Sequence, residues 1–396
     1  MLGSQDQGIE MWYRLATAHP VTRAITEFIQ RGWPQDIFTY VYREWLRRHT
    51  QVLYGQIVTI LDQRVEQPKT LLMVATHVGL AHQMAAIKQQ LAQDRKIRVV
   101  LAVVVTDDSP QYTWAVGGAD MIFVPSSRTK TGLERYHHSQ NLEPSKYIVA
   151  PYPVSPGLIR KVSEAGQQSR LTQAEVDSPA KIQVVIPVSG AAVQLDYFSH
   201  LVTWLTHDSQ RWLFYIVAKE SNYTRSFLSQ MGRRGRQVAL VTSADDRTVV
   251  ELYEDLYKKE PVLLEVTKPS EQAFKALVSP PGAVGGVILL FSEPVGRQEY
   301  DNIAFLRRHN LIPDQDVQKS LWEGHVTEEA KKELHGWRGL RLPMGGKASA
   351  EFISWCLAVG IFKQMLQFQG YQKHEELADN GVEVIWEQIA EYMVES

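Results

Sequence analysis

The sequence predicts an α/β protein built from two doubly wound parallel-sheet domains in tandem, facing a cleft. Three observations carry this. Strand-like segments such as "TLLMVAT" (70–76) and "IRVVLAVVVT" (97–106) are almost continuously apolar, as strands covered on both faces must be. Helix-length segments separate most of them, which is the signature of parallel strands with helical crossovers. The series then stops at a polar, weakly periodic stretch (158–180) and restarts at "KIQVVIPVSG"; 396 residues also exceed one ordinary core.

In order, residues 1–62 form a helical segment rich in aromatics and arginines, with Pro34 and Asp36 at a helix start. The first domain, 63–160, runs through strand 70–76, the helix "AHQMAAIKQQLAQ" and strand 97–106. The short strands "ADMIFVPS" and "KYIVAPYP" follow, flanking the helix "TKTGLERYH". A linker occupies 161–180. The second domain, 181–345, alternates the strands "KIQVVIPVSG", "WLFYIVAK", "QVALVTS", "PVLLEVTKPS" and "GVILLFSEPVG" with helices such as "YFSHLVTWLTH", "TVVELYEDLYKK" and "YDNIAFLRRHN". Two helices close the chain in 346–396.

Bulk composition narrows the function. Hydrophobic content of 44% with 22% charged residues belongs to a folded protein, and a net charge of −2 supplies no field to attract nucleic acid. The single cysteine, Cys356, sits in an apolar run and reads as inert core; with no internal disulfide to form, a reducing cytoplasm is the expected setting. The N-terminus lacks a signal-peptide layout and no window is long and apolar enough to span a bilayer, while surface attachment to a membrane stays open. "LPMGGKAS" fails the phosphate-loop pattern at Arg341 and Ala348, and the histidine spacings do not match a zinc site, so no metal or cofactor is expected.

The stretch "LLMVATHVGLAHQMAAIKQQL" (71–91) concentrates chemistry at a strand-to-helix hinge. Gly79 lets a ligand approach exposed helix N–H groups, and His82 at the top of the helix can accept a proton from an alcohol near neutral pH. The same residues also serve a histidine that only caps or packs. Asp107 and Asp108 end the neighbouring strand, where they orient His82 or cap a turn.

Four further stretches join this one: "VVVTDDSPQYTWAVGGADMIFVPSS", "IVAPYPVSPGL", "LEVTKPSEQAFKAL" and "FSEPVGRQEYDNIAFLRRHN". In this order they resemble the GT-B-type, two-domain glycosyltransferases that build monogalactosyldiacylglycerol and the peptidoglycan lipid intermediate, over roughly residues 70–310. The resemblance implies two Rossmann-like domains and an inverting transfer from a nucleotide-diphosphate sugar, UDP-linked, to a lipid or other hydrophobic alcohol, without a catalytic metal. It matches His82 to the histidine of a Gly-Gly-His turn next to the reaction centre. Gln298 and Glu299 match the pair that binds the donor sugar's hydroxyls, with Asn302 in the same loop and helix. Lys268, Pro269 and Ser270 match the turn facing the diphosphate, and Glu271 lies near the acidic position used on the ribose.

Elementary chemistry asks for the same parts. A base takes the hydroxyl proton, polar groups hold the sugar, and positive groups stabilise the departing diphosphate. Helix starts after Ser189–Gly190 and Ser270, with Lys268 or Arg297, supply the last; Arg297 also reads as a solvated loop charge. The aromatic and arginine-rich segment 1–62 fits either an interfacial helix on anionic lipid or a helical cap buried on the first sheet. Two other functions remain in view: a non-catalytic nucleotide-sugar-binding scaffold, and a sugar-nucleotide epimerase on the same fold.

Overall fold

The computed structural model describes residues 33–188, 192, 194–270, 285–291, 296–368 and 374–395. They gather into two compact units, drawn from Met1–Pro153, Val295–Asp301 and His374–Ser396, and from Val154–Pro294 and Asn302–Lys373.

Among the described residues, the first unit begins with helices α1 (Trp33–Arg48) and α2 (Gln51–Asp62). Strands β1 (Thr70–Ala75), β2 (Arg98–Val104), β3 (Met121–Val124) and β4 (Lys146–Val149) follow, with α3 (Val78–Arg95) after β1 and α4 (Ser127–Ser139) after β3. All pairings are parallel and the sheet order is β1-β2-β3-β4 among the described residues. Alternate residues of β2 face opposite sides. Leu101 and Val103 pack with Leu53 and Ile57 of α2 and Ile87 and Leu91 of α3, whereas Val100, Ala102 and Val104 pack with Ile385 and Ile389 of the helix Gly381–Glu395. Burial on both faces is why β2 reads as an unbroken apolar run. The register aligns Ala75 with Val103 and Val103 with Ile122, so the segments leaving β1, β2 and β3 emerge side by side.

The second unit holds β5 (Ile182–Pro187), β6 (Trp212–Lys219), β7 (Val238–Ser243), β8 (Leu264–Thr267), β9 (Val287–Leu290) and β10 (Gly339–Arg341) in one parallel sheet of order β10-β9-β8-β5-β6-β7. The order reverses between β5 and β8, which makes that gap the topological switch point of a doubly wound sheet. Strand β10 was not legible: it is three residues long, begins with glycine and, among the described residues, pairs only with β9, yet its Leu340 is fully buried. Trp212, Phe214, Trp337 and Cys356 lie in the core of this unit, and burial pushes the Cys356 thiol well up.

Residues 161–180, expected as a linker, hold helix α5 (Glu164–Gln173). Its contacts are polar, which explains its weak periodicity: Gln173 donates to Pro261 O at 2.8 Å and accepts from Gln183 N at 2.9 Å. Among the described residues no helix is long and apolar enough to cross a membrane.

Candidate functional site

The polar side chains of the first unit concentrate where β1, β2 and β3 end. After β1, His77 caps α3, its ring accepting the Gly79 N–H at 3.2 Å. A Cβ at Gly79 would sit 3.2 Å from that ring and 3.6 Å from the Tyr42 hydroxyl, so glycine is needed here for a close fit within the protein. One turn on, His82 is 2% exposed and its Nε2 lies 2.8 Å from Thr113 O. A carbonyl only accepts, so Nε2 carries the proton and Nδ1 is the basic nitrogen of the neutral ring. Burial drives the His82 pKa down to about 4, with the Arg43 and Arg47 charges acting the same way and the Thr113 bond opposing. The ring is therefore neutral at physiological pH.

Asp108, in the segment leaving β2, is fully buried and accepts from the hydroxyls of Ser126 and, at 2.7 Å, Thr129. Ser126 in turn caps α4 by accepting the Thr129 N–H at 3.1 Å. Asp108 thus stitches the end of β2 to the start of α4, and the group that orients the His82 ring is the Thr113 carbonyl. Asp107 lies beside it, partly exposed. Asp108→Ala is expected to leave two buried hydroxyls without their acceptor. At ~1–3 kcal/mol for each unsatisfied group, the urea midpoint should fall by the equivalent of about 3 kcal/mol. Asp108→Asn keeps one acceptor oxygen and should lose less.

The segment 296–301 belongs to the same unit. Gly296 has φ +102°, a conformation open to glycine, and a Cβ there would lie 2.8 Å from the Gln298 amide oxygen. Helix α6, taken here as Arg297–Arg308, then begins. Gln298 Oε1 accepts from Gln111 Nε2 at 3.1 Å, Asp301 accepts from the Ser109 hydroxyl at 2.7 Å, and Arg297 donates to Gln35 Oε1 at 2.8 Å. Arg297 also lies 3.3 Å from Asp301, and Arg128 lies 3.7 Å from it. Arg297 is a partnered charge rather than a solvated one. Glu299 is buried in the first turn of its helix, where the dipole favours a carboxylate.

His82 and Gln298 therefore hydrogen-bond to one short loop, through Thr113 and Gln111. Thr113, Gln111, Gln35, Ser109 and Asp301 escaped the sequence reading. Only Asp301 left a signal, four residues after Arg297 on one helix face.

In the second unit, Lys268, Pro269 and Ser270 follow β8, directly at the switch point. Ser270 N donates to Lys268 O at 2.7 Å, and the fully buried Asn302 donates to Pro269 O at 3.1 Å, which fixes the turn. Ser189 and Gly190, which follow β5 in sequence, and Glu271 lie outside the described residues.

No family model matches the chain, and no curated protein matches it in sequence. Solved structures do. A UDP-GlcNAc 2-epimerase from Neisseria meningitidis bound to UDP-GlcNAc aligns with TM-score 0.51 at 10% identity, over 87% of this chain and 82% of that one. An S. aureus MnaA–UDP structure aligns with TM-score 0.49 at 10% identity over 90% and 79%. A UDP-glucosyltransferase from Polygonum tinctorium aligns with TM-score 0.38 at 12% identity over 90% and 83%. The fold is GT-B-like: two parallel sheets with flanking helices, as in the Neisseria enzyme.

Proposed function

We propose that the protein binds a UDP-sugar at the switch point of its second sheet and transfers the sugar, with inversion, to a hydrophobic alcohol held by the first unit. The observation that carries this is the turn Lys268–Ser270 at the reversal between β5 and β8, where doubly wound sheets bind nucleotides beyond their strand ends. Lys268 and the start of the helix Leu195–Asp208, which follows β5, meet the diphosphate as charge develops on it. Gln298 and Glu299 hold the sugar's hydroxyls. His82, neutral and with Nδ1 as its basic nitrogen, takes the acceptor's proton.

A second reading, sugar-nucleotide epimerisation, is favoured by the fold shared with the Neisseria enzyme. Calorimetric titration with UDP, followed by incubation with UDP-sugars, separates the readings. UDP should bind, and should be released from donor only when an alcohol acceptor is added. Interconversion of free sugar nucleotides without acceptor would instead establish the epimerase, and binding without any turnover a scaffold. Failure of UDP to bind would remove all three.

A further inference from the structure

Helix α1 is inside out. Its outward stripe is Ile37, Tyr40, Val41 and Trp45, between 36% and 58% exposed, while Gln35, Thr39, Arg43 and Leu46 face inward and are buried. Gln35 has a use there, holding Arg297. Thr39 and Arg43 have none of that kind: among the described residues, Thr39 Oγ1 and Arg43 Nε and Nη1 are buried without a hydrogen-bond partner. Arg43 is 8% exposed, and its guanidinium carbon lies 5.7 Å from the centroid of the Tyr40 ring.

A third orphan comes from α4. Among the described residues the Tyr136 hydroxyl is buried without a hydrogen-bond partner, and the Tyr136 ring stacks on Tyr112 at 4.0 Å, next to the Thr113 that holds His82. Helices α1 and α4 both pack against the turn Tyr112–Trp114 that holds His82, and the Arg43 charge bears on both the Tyr136 phenol, where the Asp36 carboxylate opposes it, and the His82 imidazole. Every orphan here can donate: two guanidinium N–H groups and two hydroxyls. Folded proteins pair nearly all such groups, because a buried donor without an acceptor, and above all a buried cation without a counter-charge, is costly. Several donors left open at one place, with none of these atoms hydrogen-bonded to a carboxylate among the described residues, complement the oxygens of an anion.

We propose that Arg43, Thr39 and Tyr136 form an oxyanion-binding site in the first unit, beside His82, that takes a phosphate or carboxylate group. The site stands on the first unit alone. Combined with the transfer reading, it makes the acceptor an anionic molecule rather than a plain hydrophobic alcohol.

The test is calorimetric titration of the full chain with inorganic phosphate and, separately, with acetate, at constant ionic strength in chloride. One of the two should bind, and the arm that binds names the group. Arg43→Met should weaken that binding roughly tenfold or more, the scale of one charge-assisted hydrogen bond, and Tyr136→Phe should weaken it several-fold. Arg64→Met, at an exposed position, should change nothing. Without anion, Arg43→Met should melt close to the parent protein, since it loses the contact with the Tyr40 ring but no hydrogen bond from Nε or Nη1. The proposal fails if neither anion binds the parent protein, or if Arg43→Met and Tyr136→Phe bind as the parent does. UDP titrated into the same variants reports separately on the nucleotide site, so the two failures are distinguishable.

Discussion

Replacing His82 by alanine should lower the rate of sugar transfer by roughly 10²–10⁴-fold, the contribution a positioned general base makes, and leave UDP affinity almost unchanged. The split follows from position. His82 sits in the first unit, held by Thr113 O, whereas the turn proposed to meet the diphosphate lies at the switch point of the second sheet. Because burial holds the ring's pKa near 4, the base is deprotonated over the whole working range but weak. The acid limb of the pH–rate profile should therefore fall near pH 4 rather than near 6.5. His82→Gln is the informative control: its amide N–H can still donate to Thr113 O, so packing survives while the base is gone. Steady-state rates and UDP titrations on both variants check this. Transfer at the parent rate in either one would remove His82 from the chemistry.

Which parts of this arrangement could be read from the chain depended on how local their causes are. Strands β2, β5 and β9 were legible because burial on both faces writes itself into consecutive residues. The hinge at Gly79–His82 was legible because a strand, a glycine and a helix start adjoin in sequence. The partner of His82 was not, since it is a backbone carbonyl 31 residues away and a carbonyl carries no residue identity. The Gln111–Gln298 bond spans 187 residues and has no periodic trace. Helix α1 shows the limit most clearly. Its aromatics and arginines fitted a face buried on the sheet or one lying on lipid, and the structure turns Ile37, Tyr40 and Val41 outward because the inward side meets Arg297 and the site loops, which reward Gln35 rather than leucine. Asp108 misled in the opposite sense: a strand-end aspartate beside a candidate base reads as its orienter, and hydroxyls from α4 claim it instead.

Acidification from pH 7 to pH 4 should cost the folded protein about 3 kcal/mol through His82 alone. The unfolded imidazole titrates near 6.5 and the folded one near 4, a gap worth about 3 kcal/mol at ~1.4 kcal/mol per unit. Between those two values the unfolded chain binds the proton and the folded chain does not, so stability rises with pH across the window. It is fully present above 6.5, declines as pH falls towards 4, and changes no further from this source below that. His137 is also held low, by burial, and acts in the same direction; carboxylates add losses of their own as they protonate. The share belonging to His82 is isolated by difference. Urea unfolding at pH 7 and at pH 4.5 should show the parent protein losing about 2–3 kcal/mol more than His82→Gln, which has nothing to titrate but keeps a donor for Thr113. Equal losses in the two proteins would mean that the ring gains a proton in the folded state as readily as in the unfolded one. A ring that protonates so readily cannot be sealed from water as its burial requires, and the neutral imidazole on which the proposed transfer relies would then be lost at mildly acidic pH.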